Sequence, residues 1–321
     1  MKVSHQTKTI NWIDVSLILA FISLLGGITI TKIADYDFWW HLNLGREIFA
    51  QKTPFILDKF SYTFQGMPQF NGEWLADLIL YLSYISGEWF GVAFLKFALI
   101  SLTSFLLARA MLHLQENSSK NLIAILLTLV VYIFAIRFRL FIRPFLFSYV
   151  FFASFLVILF KYERERKSTI LWFIPLLELL WANCSKGLFF GPTLVGIMAI
   201  SDLLSGRKDK KLWLCFLATF VVSLINPEGL KPYGFIFQLL SDQRTTSLVG
   251  EHQSLSPGLL WGGSWYYFIG FQLLFFGGIT SLTLFKQSKN RFVTILFILF
   301  SIPPFFMVRM IDFFSISFAF S

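Results

Sequence analysis

The chain has 321 residues, of which 56% are hydrophobic and only 14% charged, and it carries 41 phenylalanines and a formal charge of +9. A soluble fold of this length could not bury that much apolar surface, and continuous apolar runs of about 18 or more residues recur, which excludes a lipid-facing barrel with its short alternating strands. The class is an all-α polytopic membrane protein, because within lipid a helix satisfies every backbone group internally.

Using a requirement of about 20 residues per crossing, spans are predicted at 13–34, 90–112, 120–136, 144–161, 168–184, 187–205, 211–226, 263–285 and 291–309. Residues 312–321 are too short to cross and read as the start of a tenth helix, in a chain that is either a fragment or stops there, giving about 9–10 spans in one transmembrane domain, 1–321. The first run lacks a small-residue cleavage site before the charged segment that follows, so it reads as a retained span and not a signal peptide. Cys184 and Cys215 suggest neither a disulfide framework nor a metal site.

With the N-terminus inside, the segments assigned to the cytoplasm hold 15 basic and six acidic residues, among them Lys161, Arg164, Arg166, Arg207 and Arg291. The opposite side carries 11 of each, so the positive-inside rule accounts for the whole net charge. No nucleic-acid partner is needed. The reading is a bacterial inner (cytoplasmic) membrane protein whose active face is exterior.

Two exterior segments are long, 35–89 and 226–262. In the first, 38–50 reads as an interfacial helix anchored by Trp39 and Trp40, 54–70 as a turn-rich loop, and 71–87 as a second helix lying in the outer interface. Asp35 and Asp37 stand where the first span ends. Two such carboxylates can divide the work of a general base and of a ligand for a divalent cation such as Mg or Mn. His41, one helical turn after Asp37, can form an Asp–His couple with it.

The complementary charge comes from exterior ends of later spans: Arg137, Arg139 and Arg143 in "IRFRLFIRP", Lys186 in "WANCSKG", and Arg309 in "MVRMID". Cations gathered on the side that the positive-inside rule depletes call for an anion, and arginine forks suit phosphate oxygens. Lys96 and Glu178 are the ionisable residues placed within spans, where a mutual pair is the first expectation and a cavity lining the second. Glu73, Trp74, Asn183 and Asn226-Pro227 mark further exterior boundaries.

"DYDFWWHLNLGREI", "PFILDKFSYTFQG" and "GEWLADLILYLSYISGEWFGVAFLK" together resemble bacterial multi-pass proteins with a D-x-D-x-W-W-H-L signature. These are similar to the GT-C glycosyltransferase superfamily, of the protein O-mannosyltransferase and lipid A aminoarabinose transferase type. Further likeness lies in "RPFLFSYVF", "WANCSKGLFFG", "NPEGLKPYGF" and "EHQSLSP", so it covers nearly the whole chain.

The resemblance implies a GT-C-like bundle, a polyprenyl-phosphate sugar donor, and an acid at the end of the first span that activates the acceptor. Asp35 and Asp37 match the motif positions, with Asp37 the preferred base. Arg137, Arg139, Arg143, Lys186 and Arg309 are assigned to the donor phosphate by charge and side, and His41, Glu73 and Trp74 to acceptor or loop support. One departure is clear. The group carries His-Gly after W-A-N-x, whereas here Cys184, Ser185 and Lys186 precede Gly187, so that histidine's role is open or passes to Lys186. The rival readings are a transporter or flippase of a lipid-linked or anionic solute, and a non-catalytic assembly subunit.

Overall fold

The computed structural model describes residues 12–33, 35–114, 122–234, 249–252, 254–255, 265–284 and 290–318. Most of the second long connection, and the basic segments at 1–11, 115–121 and 285–289, lie outside the described residues. What is described is a helical bundle with one small hairpin. Its helices are α1 (Trp12–Thr29), α2 (Asp37–Gln51), α3 (Trp74–Leu114), α4 (Leu122–Ile136), α5 (Phe145–Glu165), α6 (Phe173–Cys184), α7 (Phe190–Leu204), α8 (Lys210–Ser223), α9 (Trp265–Leu284), α10 (Arg291–Ser301), α11 (Pro303–Phe306) and α12 (Ile311–Phe318).

Five helical stretches among the described residues are long and apolar enough to cross a membrane: Trp12–Thr29, Trp74–Leu114, Leu122–Arg139, Phe145–Glu165 and Lys186–Leu204. Ser168–Cys184, Ile269–Thr283 and Arg291–Phe306 are shorter apolar helices. The chain is therefore an α-helical membrane protein.

The interfacial helix forms as α2, with Phe38, Leu42, Leu44, Gly45 and Ile48 turned inward. It crosses α3 so closely that a Cβ on Gly45 would lie 2.1 Å from the Asp77 carbonyl oxygen, which no side chain tolerates. The helix ends at Lys52, whose left-handed backbone (φ 56°) turns the amide back to the Ile48 carbonyl.

Three expectations need correcting. Residues 54–70 are not wholly irregular: β1 (Phe55–Leu57) pairs antiparallel with β2 (Pro68–Phe70), Ile56 facing Gln69 in register. The Asp58 carboxylate accepts the Phe60 and Ser61 amides at 2.8 and 2.9 Å and so closes the bend that starts the connecting loop. The second interface helix is not separate from the following span. Both belong to α3, broken at Gly87 and Glu88, where Glu88 takes the rare φ 48°, ψ −131°. The last span is not continuous either. Pro303 and Pro304 stop α10 at Ser301 and restart a single turn, since proline lacks the amide a helix interior needs. The tenth helix does begin, as α12, and it is buried.

Aromatic side chains form the core. Trp181 is fully buried, stacks on Phe151 and donates its indole N–H to Ser148 at 2.8 Å. Phe314 of α12 lies among Phe271, Phe297 and Phe318.

Polar contacts sort the helix ends into two groups. At one end Tyr162 meets Asp209, Arg166 and Arg207 hold Asp202, and Asn290 meets Glu163. At the other, Trp74 donates to Asn183 at 2.7 Å, and Asn183 donates to the Ile225 carbonyl at 2.8 Å. The segments assigned by sequence to each side thus meet one another.

Candidate functional site

The chain from Thr31 to Asp37 leaves α1 and enters α2, and the short connection from Arg137 to Pro144 joins α4 to α5. The two come together through one side chain. Arg143 grips both oxygens of Asp35 and also meets Asp37 Oδ2 at 2.9 Å. The two carboxylates differ in setting. The Asp35 side chain is 6% exposed, that of Asp37 60%.

From Arg143 a line of alternating charge runs inward. Glu251 lies 3.9 Å from Arg143 and pairs with Arg139, while Arg139 Nε donates to Asp312 Oδ2 at 2.9 Å. Tyr149 donates to the same Asp312 oxygen at 2.5 Å, and Arg309 meets His252 Nε2 at 2.8 Å. Burial alone would raise the Glu251 carboxyl, but the guanidinium groups of Arg139, Arg309 and Arg143 hold it below the usual range.

A cavity of about 690 Å³ opens beside Asp35. Its polar lining includes Thr31, Lys32, Asp35, Lys96 and Arg137; the rest is mainly apolar, with Ile28, Val92, Phe138 and Leu140 among it. Arg137 stacks on the Phe138 ring with its guanidinium carbon 4.4 Å from the centroid. Lys96 is 8% exposed and donates to Thr31 Oγ1 at 3.1 Å. The cavity size suits a small-molecule ligand, and walls that are apolar with a few convergent charges are what such ligands need.

The structure therefore splits the arginines expected on one phosphate. Arg137 lines the cavity, Arg143 holds the aspartate pair, and Arg139 and Arg309 belong to the buried ion cluster. Lys186 is exposed on the single turn Lys186–Phe189 after α6 and does not line the cavity. The expected Lys96–Glu178 pair is absent. Glu178 is buried against Gly191, its oxygens without a hydrogen-bond partner among the described residues, and Lys96 serves the cavity instead.

His41 does not couple to Asp37. Its Nδ1 meets the buried Asp77 Oδ1 at 2.8 Å, and Asn71 donates to Asp77 Oδ2 at 2.5 Å. An i, i+4 position on one helix offered Asp37, but the closer packing of α3 on α2 supplied the better acceptor. The Glu73 amide donates to the Asn71 side-chain oxygen at 2.9 Å, and Trp74 is tied to Asn183. Asp77, Glu251, His252, Asp312 and Tyr149 are site residues that the sequence reading did not single out. The signal was present for Asp312, an acid in an apolar helix.

The His41–Asp77 contact clamps α2 to α3. Burial lowers the imidazole pKa, but the Asp77 hydrogen bond and charge, with Glu73 and Asp37 nearby, outweigh it and raise the pKa above the ordinary 6.5. Stability from this contact is therefore full below pH 6.5 and is lost as pH rises through the raised value. Asp77→Asn is expected to cost about 1–3 kcal/mol, because the buried Asn71 and the part-buried His41 lose a charged acceptor, and to flatten that slope. Thermal unfolding in lipid nanodiscs as a function of pH checks both; a wild-type midpoint that does not fall across this window would refute the clamp.

A divalent ion at Asp35 and Asp37 does not fit this arrangement. Arg143 occupies both Asp35 oxygens, and no cluster of three His, Cys, Asp or Glu side chains suited to a metal occurs among the described residues. No protein-family model matches the chain, and no curated protein does.

Proposed function

We propose that the chain is a GT-C-type membrane glycosyltransferase that moves a sugar from a polyprenyl-phosphate donor to an acceptor at the end of the bundle carrying α2. One observation carries this reading. Asp35 shares an apolar cavity with Lys32, Lys96 and Arg137, so a carboxylate, three cations and a lipid-compatible wall converge at one helix end. That composition suits a phosphate borne on a hydrocarbon chain. In this reading the face is periplasmic, as the charge asymmetry of the sequence implies, and the membrane is the bacterial inner membrane.

The chemistry is displacement at the anomeric carbon. The acceptor oxygen forms its bond to that carbon as the bond to the phosphate oxygen breaks. Asp37 takes the acceptor proton, and the leaving phosphate keeps the electron pair. Lys96 and Arg137 stabilise the charge that develops there, in surroundings where such interactions are stronger than in water. Asp37 suits the base role better than Asp35, since one of its oxygens meets Arg143 while the side chain stays open to an acceptor.

Lys96→Met tests the donor site, because methionine matches the length of the stem and removes only the charge. Binding of farnesyl phosphate to the nanodisc-reconstituted chain is expected to weaken by about 10- to 100-fold, the value of a charge-assisted hydrogen bond. Unchanged binding would remove the cavity from the mechanism. The flippase reading has one observation on its side, the buried Glu178 within an apolar helix. It requires lipid movement without formation of any glycosylated product, which the same reconstituted vesicles would report.

A further inference from the structure

The two tryptophans of the D-x-D-x-W-W segment part company in the fold. Trp40 packs edge-on against Phe60 of the hairpin loop, ring centroids 5.5 Å apart, and does not line the cavity. Trp39 does line it, together with Trp89 from just beyond the break in α3. Their centroids are 5.6 Å apart with planes at 73°, so the two indoles make a corner.

That corner is held from behind. Phe38 packs on Trp39 at 5.3 Å and Tyr84 on Trp89 at 5.0 Å. Past the bend in α3 the backbone packs closely, since a Cβ on Gly91 would lie 2.0 Å from the Ser83 carbonyl oxygen and only glycine fits there. Yet 46% of Trp39 and 44% of Trp89 stay uncovered. An interfacial anchor needs an indole facing lipid and has no use for a second indole set at 73° to it in a cavity that also holds a carboxylate.

A pyranose has an apolar C–H face and a rim of hydroxyls. The first suits an aromatic plane; the second suits polar groups such as the Lys32 ammonium and the Thr31 hydroxyl, which line the same cavity. Resting on the transferase reading above, we infer that Trp39 and Trp89 form the glycosyl subsite, in which the sugar of a lipid-linked donor stacks while its phosphate turns toward Lys96 and Arg137. A phospholipid headgroup without a sugar ring gains nothing from this corner.

The test compares two probes on the full chain in nanodiscs, farnesyl phosphate and farnesyl phosphoryl-hexose. Wild type is expected to bind the glycosylated lipid more tightly. Trp39→Leu and Trp89→Leu should each weaken it by about fivefold more than they weaken bare farnesyl phosphate, the scale of one aromatic contact. Trp39→Phe should restore part of the preference, and Trp40→Leu should keep all of it. Equal wild-type affinity for the two lipids, or equal loss of both in the variants, overturns the subsite while leaving the donor-phosphate site standing. Binding of neither lipid by wild type overturns the subsite and the transferase reading together.

Discussion

Glycosyl transfer by Asp37→Asn is expected to fall by about 10²–10⁴-fold, the usual contribution of a positioned general base, with binding of farnesyl phosphate unchanged. The substitution keeps the shape of the side chain and its contact with Arg143 but removes the ability to take the acceptor proton. Asp37 is chosen over Asp35 on geometry. Arg143 holds Asp35 by both oxygens in a buried setting, whereas the Asp37 side chain is mostly open. Asp35→Asn is expected to harm transfer by a different route, because Arg143 then loses the partner that fixes it. Donor binding separates the base from the donor site: it falls with Lys96→Met, which lowers turnover as well, and stays intact in Asp37→Asn, which lowers turnover alone. Normal turnover in Asp37→Asn, in membranes containing the inserted protein, would sink the base assignment.

Hydropathy made the helices legible, because a run of apolar residues has only one satisfactory state in lipid. It also located α2, whose amphipathic spacing at 38–50 matches Asp37–Gln51. The turn at Gly87 was visible as the end of one predicted helix, though not that both halves would pack so tightly that Gly91 touches the Ser83 carbonyl. The hairpin at 55–70 was obscured by its own signals: Pro68 and Gly66 read as breakers, while the strands they bound are only three residues long. The break at Pro303 was written in the sequence, and a 19-residue hydropathy window averages across it.

Side-chain partners were less legible, for a physical reason. Pairing within a helix follows from spacing, but pairing between helices depends on crossing angle and depth. His41 had Asp37 one turn away and found Asp77, 36 residues on, because Gly45 lets α2 sit against the α3 backbone. Lys96 and Glu178 were expected to pair as isolated charges in lipid. Lys96 instead reaches the unwound end of α1 at Thr31, where a cavity replaces the need for a counter-charge inside the bundle. Arginines that look equivalent in "IRFRLFIRP" have three different fates, since successive residues of a tight connection point in different directions. Composition can count such cations but cannot assign them.

The largest structural effect is expected at Arg143. Arg143→Gln should lower stability by about 3 kcal/mol, the low end for breaking a buried ion pair by removing one partner, and should also abolish transfer. Asp35 would keep a nearly buried carboxylate without its cation, with Asp37 two residues away and Glu251 the next charge along the chain of pairs. Asp35 and Asp37 would then repel each other at one helix end, while Glu251 keeps Arg139. Arg143→Lys should recover only part of the loss, because an ammonium is a single point of charge and cannot span Asp35 and Asp37 as the guanidinium fork does. Arg143→Gln combined with Asp35→Asn removes both buried members, so stability should return toward wild type while transfer does not, since Asp37 has lost the group that positions it. Thermal unfolding in nanodiscs and product formation, measured on wild type, Arg143→Gln, Arg143→Lys, Asp35→Asn and the double variant, read the two effects separately. Strict additivity of the two substitutions in stability would show that Arg143 and Asp35 are not coupled, and with that the geometry on which the site rests would fail.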